Sequence, residues 1–409
     1  MNMRDTRRLL ATVLFAGVVV VSHSHSAAAG VIYVQTDLTS DGFVPAANID
    51  PNLRNPWGIS FSPTSPFWVA DQATGDATLY TGTGAPTGGS PPLVVAIPPG
   101  GGPPSGPTGT VFNSGASTSF LLSTPTGGTI KSTFLFATLS GAIEGWNPGS
   151  TGGRNSAVIA TQRSGAVYTG LAIGNSAGSD YLYAANNAGT GSIDVYNASF
   201  ANVSATTFAG KFVDPNPVAG FAPFNVQSIN GNLYVTYASV SPMGVPNAGG
   251  YVDEYDTAGN FIMRVATNGV LNAPWGIALA PAAGFGAFSG DLLVGNFFPG
   301  GDINAFTPGG TFAGTLTGAN GKPITDDFLW SLDFGNGGPG FSPTTLYLTA
   351  GLNNQQDGVF ASIQAVLVPE PDSIWLFGAG LLAIGLFRLR RRPCFAISER
   401  TMELDGKGK

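Results

Sequence analysis

A short strand-like run of mostly apolar residues recurs six times along the chain. The runs begin at Phe67, Phe134, Tyr181, Asn232, Asp291 and Thr345. The equivalent positions are Trp68, Leu135, Leu182, Leu233, Leu292 and Leu346, whose successive separations of 67, 47, 51, 59 and 54 residues average near 56. Recurrence of this kind indicates a repeat architecture.

Each run is one of four strand-like segments in its repeat. After a glycine-containing turn comes a run in which apolar and polar residues alternate, clearest at 191–196, 250–255 and 301–306. Another segment precedes each run, as in the Pro-Trp-Gly-Ile sequences at 56–59 and 274–277, and a further one closes most repeats. Alternation with a period of two, bounded by Gly, Asn and Asp, is typical of antiparallel strands joined by tight turns.

The sequence therefore predicts an all-β fold, a six-bladed β-propeller with four-stranded antiparallel blades. Residues 31–35 are predicted to supply the outer strand of the last blade, which closes the ring and leaves no open sheet edge there. A large β-sandwich or a β-solenoid is the alternative fold, and the unequal repeat lengths count against the solenoid.

The N-terminal segment has the pattern of a secretory signal. Arg4, Arg7 and Arg8 precede an uncharged run at 9–21, and three alanines at 27–29 provide small side chains for a signal peptidase. Residues 1–29 are thus predicted to form a signal helix that is cleaved before the domain begins. An uncleaved membrane anchor is the alternative.

The C-terminal segment has the pattern of a membrane anchor. Val368, Pro369, Glu370 and Pro371 are followed by an apolar run at 374–387. The arginines after this run are Arg388, Arg390, Arg391 and Arg392. Fourteen residues rise about 21 Å as a helix, short of a hydrocarbon core of about 30 Å, and snorkelling arginines with local thinning would close the gap. A buried core helix is the alternative.

These boundaries divide the chain into a signal peptide (1–29), a propeller (30–366), a sorting signal with its membrane helix (367–392) and a cytoplasmic tail (393–409). The arginines are predicted to stay on the cytoplasmic side of the inner membrane, so that the propeller lies outside it.

The order of Pro369, Glu370 and Pro371, a short apolar helix and a basic cluster resembles the PEP-CTERM sorting signal of Gram-negative bacteria. That resemblance implies an exosortase as processing partner, which cuts the anchor and releases the domain to the cell surface or extracellular matrix. The tail at 393–409 is longer than is usual for such signals.

The Pro-Trp-Gly segments and the strand runs resemble NHL-type propellers. Over most of residues 30–366 the chain is similar to a bacterial propeller family that is often exported with PEP-CTERM tails. This resemblance implies a fold and leaves the activity open.

The charge and composition of the predicted domain exclude several classes of function. Residues 30–368 contain 18 Asp and Glu against seven Lys and Arg, a formal net charge of −11, so a nucleic-acid partner is disfavoured. His23 and His25 lie in the signal segment, and Cys394 lies in the tail. Ser-His-Asp or Cys-His catalysis, zinc or copper bound by imidazole or thiolate, and a disulfide within the domain are therefore excluded.

The carboxylate and amide side chains of the domain remain candidates for catalysis and for metal binding. Asp71, Glu144 and Glu254 are candidates for carboxylate acid-base catalysis, although surface loops and turns usually hold such residues. Asp71, with Asn186 and Asn296, is also a candidate set of ligands for Ca²⁺ near the axis. No other cofactor is predicted.

A ligand platform is predicted at the inner strands. Trp57, Trp275 and Trp330 begin these strands, and Asn55, Asn225 and Asn272 lie close by in sequence. Such indole faces stack on a sugar ring or another flat ligand. The alternative is that the tryptophans pack between blades and the asparagines cap turns.

These features favour a non-catalytic binding or structural module at the cell surface or in the matrix, with exopolysaccharide or a surface protein as partner. The alternative is a calcium-dependent hydrolase or lyase that resembles lactonase-type propellers. The absence of histidine from residues 30–368 counts against it.

Overall fold

The structure is a computed structural model that describes residues 30–98, 105–239, 249–297 and 300–368. The predicted signal helix, the Pro-Glu-Pro sequence, the membrane helix at 374–387 and the tail all lie outside these residues. Within the described ranges, no helix combines the length and apolar character needed to cross a membrane. The compact unit described below is Val31–Leu367.

Six β-sheets of the described chain follow one another in sequence as blades, and a two-stranded hairpin forms a seventh sheet. From the axis outward, blade 1 contains β3 (Pro56–Ser60), β4 (Phe67–Asp71), β5 (Asp76–Tyr80) and β6 (Val94–Ala96). Blade 2 contains β7 (Pro107–Phe112), β10 (Phe134–Thr138), β11 (Ala142–Trp146) and β12 (Val158–Gln162). Blade 3 contains β13 (Tyr168–Ser176), β14 (Ser179–Asn186) and β15 (Ser192–Asn197).

The other three blades follow the same order. Blade 4 contains β16 (Ala222–Ile229), β17 (Asn232–Ala238), β18 (Tyr251–Asp256) and β19 (Phe261–Thr267). Blade 5 contains β20 (Pro274–Leu279), β21 (Leu292–Asn296), β22 (Ile303–Phe306) and β23 (Phe312–Thr315). Blade 6 contains β24 (Leu329–Phe334), β25 (Leu346–Ala350), β26 (Val359–Val368), β1 (Gly30–Ser40) and β2 (Asn48–Ile49).

Three small elements lie between these strands. They are a hairpin of β8 (Leu121–Ser123) and β9 (Thr129–Lys131), a 3-10 turn at Gly286–Phe288 and a short helical turn, α1 (Leu352–Gln355).

The first strand of each blade contacts the first strand of the next, and β24 returns to contact β3. The six sheets therefore form a closed ring, and the predicted six-bladed propeller is confirmed. Neither a β-sandwich nor a solenoid has this circular order.

The N-terminal strand closes the ring as predicted. β1 lies beside β26 in the last blade, so the two ends of the domain share one sheet. Tyr33 on β1 is buried and donates its hydroxyl hydrogen bond to the carbonyl of Phe285, at 3.0 Å. Because β1 covers the edge of β26, the last blade does not expose that edge.

Blade 3 departs from the four-strand pattern. After β15 the chain makes a single bridge between Tyr196 and Asn202 and then continues through turns to residue 221. Pro215 and Pro217 in this segment have no backbone N–H to donate to a ladder. The outer position of blade 3 is accordingly occupied by irregular chain.

Apolar seams between neighbouring blades form the core. In the seam between blades 1 and 2, the rings of Trp68 and Phe134 stack with centroids 4.4 Å apart. Tyr168 and Tyr196 meet edge to face at 6.3 Å in the seam between blades 2 and 3. These seams hold each sheet against the next and fix the inner strands around the axis.

Candidate functional site

Every inner strand carries an irregularity at the same place. The pairing of the first and second strands shifts register in all six blades. In blade 1 the shift lies between Pro56 and Ile59, and in blade 5 it lies between Pro274 and Ile277. A bulge re-aims the side chains that follow it. The inner strands therefore present one ring of residues within the bulges and a second ring after them.

The ring within the bulges forms the centre of an aromatic plug. Trp57 and Trp330 stack with ring centroids 3.5 Å apart, and Trp275 meets both edge-on, at 6.2 and 5.6 Å. Phe224 and Phe297 pack against Trp330. The indoles come from the inner strands of blades 1, 5 and 6, and their exposed fractions are only 0 to 3%. The aromatic plug, defined here as these five residues, fills the centre of the ring at this level.

Polar partners surround the aromatic plug. The indole N–H of Trp330 donates to Asn55 Oδ1 at 2.9 Å, and that of Trp275 donates to the carbonyl of Thr169 at 2.9 Å. Asn225 Nδ2 donates to the carbonyl of Trp275 at 2.9 Å. Trp57 Nε1 is buried without a hydrogen-bond partner among the described residues.

The structure thus brings most of the predicted platform residues together in one buried cluster. Trp57, Trp275 and Trp330 contact one another, and Asn55 and Asn225 bond to this cluster. Asn272 differs, because its backbone N–H donates to Asn296 Oδ1 at 2.8 Å in blade 5. A ligand-binding role for these residues stays a prediction.

Glycines next to the aromatic plug allow the inner strands to approach closely. A Cβ atom on Gly109 would lie 2.3 Å from the backbone nitrogen of Leu171, and one on Gly58 would lie 2.6 Å from the carbonyl of Thr108. No side chain fits at such distances from backbone atoms. The glycines therefore set the narrow spacing of neighbouring inner strands.

Beyond the bulges the inner strands line a cavity of about 240 Å³ that opens to solvent. We call it the mouth cavity. Its wall includes residues from blades 1, 2, 3, 4 and 6. The polar members are Ser60, Thr110, Ser114, Gln227, Ser228 and Asp333. Ser60 Oγ and Thr110 Oγ1 form a hydrogen bond of 3.0 Å across the boundary between blades 1 and 2.

Asp333 is the charged residue on this wall. The described residues that line the mouth cavity include no Lys or Arg. Burial raises the pKa of Asp333 to about 7, while a hydrogen bond from the backbone N–H of Phe334 acts in the opposite direction. The mouth cavity therefore contains a carboxyl group that has no cationic partner among the described residues.

The three predicted calcium ligands lie at the ends of second strands, each in its own blade. Asp71 Oδ2 accepts a hydrogen bond from Thr78 at 2.7 Å, and burial raises the pKa of Asp71 well above its usual range. Asn186 Oδ1 accepts from the backbone N–H of Val167 at 3.0 Å. Asn296 is engaged in the contact with Asn272. Among the described residues, no group of three or more His, Cys, Asp or Glu is arranged to hold a metal. Calcium binding stays a prediction.

The candidate acid-base residues lie on different strands, away from the mouth cavity wall. Asp71 is on β4 and Glu144 on β11. Both Glu144 oxygens are buried without a hydrogen-bond partner among the described residues, and burial raises its pKa to about 9. Glu254 on β18 accepts a hydrogen bond from Asn232 Nδ2 at 2.6 Å.

Residues 367–392 match the family described as the PEP-CTERM protein-sorting motif, which confirms the predicted resemblance. An uncharacterized protein of Acanthamoeba polyphaga mimivirus is 31% identical over 337 residues, 80% of this chain and 78% of that protein. A second one is 31% identical over 338 residues, 80% of this chain and 84% of that protein. The chain belongs to the family of these two viral proteins.

Similar solved structures include virginiamycin B lyase from Staphylococcus aureus and a nidogen/laminin complex. The first has a TM-score of 0.39 at 12% identity and covers 82% of this chain and all 100% of that one. The second has a TM-score of 0.41 at 12% identity and covers 68% of this chain and 83% of that one.

Asp333, the acidic side chain on the wall of the mouth cavity, is not among the site residues predicted from the sequence. It stands three residues after Trp330, as Ser60 stands three residues after Trp57. Aligning all six inner strands on these positions gives a column that faces the mouth cavity in five blades. The members of that column are Ser60, Val111, Ala172, Gln227, Ala278 and Asp333, of which Ala278 is the one that does not line the cavity.

A second missed pattern lies on the third strands. Thr78, Glu144, Asp194, Asp253 and Asn304 occupy the same position in blades 1 to 5, and each is at most 1% exposed. Four of them make hydrogen bonds through their side chains, and Glu144 is the exception. The sequence signal for this position is a four-residue order of apolar, polar, any and aromatic residues, as at 193–196.

Proposed function

We propose that this protein is an exported propeller that acts at the cell surface or in the extracellular matrix as a non-catalytic binding module, after sorting by an exosortase. The sorting motif at 367–392, placed after a closed six-bladed domain, is the observation that carries the proposal. A closed ring with glycine-spaced inner strands provides a rigid framework for a binding surface.

The mouth cavity is the proposed binding site. Its wall offers hydroxyl and amide groups that both donate and accept hydrogen bonds, which suits a polyhydroxylated partner such as exopolysaccharide. Non-catalytic binding is supported by the lack of His and Cys in residues 30–368 and by the separation of Asp71, Glu144 and Glu254 from this wall.

A calcium-dependent hydrolase or lyase is the second candidate. The observation in its favour is Asp71 Oδ1, a buried carboxylate oxygen that has no hydrogen-bond partner among the described residues. A hard cation accepts such an oxygen as a ligand.

Sorting is tested with the full chain in a Gram-negative host, with and without an exosortase. Processing is expected to shorten the chain and release it from the inner membrane in the wild type. Replacing Pro369, Glu370 and Pro371 by alanine is expected to leave it full-length in the membrane fraction. Pro393→Ala, beyond the arginine cluster, is the control. Identical processing of the alanine variant and the wild type would refute exosortase sorting.

Binding is tested with the purified full chain by a glycan array and by metal analysis of the same preparation. The proposal expects retention of at least one polysaccharide class without a stoichiometric metal. Tight, stoichiometric Ca²⁺ together with no glycan binding would instead support the hydrolase or lyase.

A further inference from the structure

We propose that the mouth cavity binds the protonated amino group of an amino sugar, with the carboxylate of Asp333 as its counter-ion. This inference rests on the proposed function, because it names the chemical class of ligand for the same site.

The first support is the unneutralised carboxyl group. Asp333 lies on β24 and lines the mouth cavity. Among the described residues, no Lys or Arg lines this cavity, and Asp333 takes part in none of the ion pairs. By contrast, Asp194 pairs with Arg163, and Asp253 pairs with Arg264. A ligand ammonium group would supply the missing opposite charge and stabilise the ionised form of Asp333.

The second support is the mixture of polar groups around Asp333. Ser60, Thr110 and Ser228 provide hydroxyl groups, and Gln227 provides an amide, so the wall can both donate and accept. A sugar that carries an amino group has hydroxyls to match these groups in addition to the cation. A simple alkyl amine would leave most of these wall groups without a ligand partner.

The third support is the shape of the mouth cavity. At about 240 Å³ it is smaller than the roughly 300–1,000 Å³ of sites that enclose drug-sized ligands. It therefore fits one sugar unit, and its opening to solvent allows the rest of a polymer to continue outside. Phe61 and Phe112 on the wall provide apolar surface for the face of a sugar ring.

A metal ion fits the same wall less well. Calcium takes six to eight oxygen ligands and is usually held by several carboxylates. In the part of the chain that the structure describes, one carboxylate lines the mouth cavity. A single carboxylate with surrounding hydroxyls matches an ammonium group, which needs few ligands and one negative charge.

The test is isothermal titration calorimetry on the purified full chain with glucosamine and with a de-N-acetylated glucosamine oligomer. N-acetylglucosamine and glucose are the neutral comparison ligands, and CaCl₂ alone is the metal probe. Asp333→Asn removes the charge and keeps the shape. Asp291→Asn makes the same change of charge outside the mouth cavity and is the matched control.

We expect the amino ligands to bind at least about tenfold more tightly than the neutral ones, and Asp333→Asn to abolish that difference. Asp291→Asn is expected to leave it unchanged. Binding of glucosamine by the wild type is expected to strengthen as the pH rises from about 5.5 to about 7, because Asp333, whose pKa is about 7, ionises in this range while the amino group of the ligand still keeps its proton. This pH dependence is measured without any variant and so does not depend on how Asp333→Asn folds.

Equal binding of glucosamine and glucose, or unchanged binding by Asp333→Asn, would overturn the inference while leaving a polysaccharide-binding function intact. Binding of Ca²⁺ alone at Asp333 would also overturn it. Failure of every polysaccharide on the glycan array would count against the proposed function itself, which separates the two conclusions.

Discussion

Trp57 and Trp330 stack with their ring centroids 3.5 Å apart, and they belong to the first and last blades of the ring. The contact therefore joins the two blades between which the circle closes. At the outer edge of blade 6, β1 from the start of the domain pairs with β26 from its end. The propeller is thus held closed at the axis by an aromatic contact and at its rim by strand pairing.

Trp330→Ala is expected to lower the free energy of unfolding by about 3–5 kcal/mol, because it empties the centre of the aromatic plug. The change also removes the indole N–H from which Asn55 Oδ1 accepts a hydrogen bond. Denaturant unfolding followed by circular dichroism measures the loss.

Trp330→Phe is the matched variant for this prediction. It keeps an aromatic ring and removes the N–H, so a smaller loss of about 1–2 kcal/mol is expected. A cost below about 1 kcal/mol for Trp330→Ala would show that the aromatic plug does not hold the ring closed.

Gly109→Ala is expected to cost at least about 2–3 kcal/mol of unfolding free energy. Its Cβ would meet backbone atoms of the neighbouring blade, with Leu171 N at 2.3 Å, and no side-chain movement relieves that contact. Gly128→Ala is the control, since among the described residues the only atom within 4 Å of its Cβ would be Thr124 Oγ1, at 3.4 Å. Equal stability of the two variants would contradict a close approach of the inner strands.

The sequence was sufficient to predict the ring. Short, nearly continuous apolar runs recur in each repeat because every blade buries both faces of its sheet against its neighbours. The strand at 31–35 could be placed in the last blade because a closed ring requires a partner for β26. The prediction of four strands was wrong for blade 3, since the segment containing Pro215 and Pro217 does not form its outer strand.

The site was harder to predict because it depends on the bulges. In a regular strand, residues three positions apart, such as Trp330 and Asp333, point to opposite faces of the sheet. The bulge between Leu329 and Leu332 changes this, and the sequence does not show where the bulge lies. Trp57, Trp275 and Trp330 were recognised as a group, but their mutual stacking and burial depend on three blades meeting at one point. Sequence spacing gives positions along one strand and does not give distances across the ring.

Glu144 is expected to make stability depend on pH. Burial raises its pKa to about 9 in the folded protein, from a reference value of 4.5. Below about pH 4.5 both states are protonated, and between about pH 4.5 and pH 9 only the folded state keeps the proton. The contribution of Glu144 to stability therefore falls as pH rises through this window, by at most about 1.4 kcal/mol per pH unit.

Glu144→Gln removes this titration and keeps the size of the side chain. Thermal or denaturant unfolding at about pH 5 and about pH 8 should show that the variant gains stability relative to the wild type at the higher pH. Parallel pH profiles for the two proteins would mean that Glu144 is ionised, or has found a partner, in the folded state.

Asp194→Ala is expected to be among the most damaging changes in the seam between blades 2 and 3. The carboxylate accepts hydrogen bonds from Tyr168 at 2.9 Å and Asn186 at 3.2 Å, and it pairs with Arg163. Its removal leaves buried donors without an acceptor, at a cost of about 3–5 kcal/mol in unfolding free energy.

Arg163→Met removes the ion pair with Asp194 and keeps the hydrogen bonds that Asp194 accepts from Tyr168 and Asn186. The Arg163 side chain is 48% exposed, whereas that of Asp194 is 1% exposed. Tyr168 and Asn186 still bond to Asp194 in the variant, so a smaller loss of about 1 kcal/mol is expected, and added salt should reduce it further. If Arg163→Met instead destabilised the protein as much as Asp194→Ala, the ion pair rather than the buried hydrogen bonds would hold this seam together.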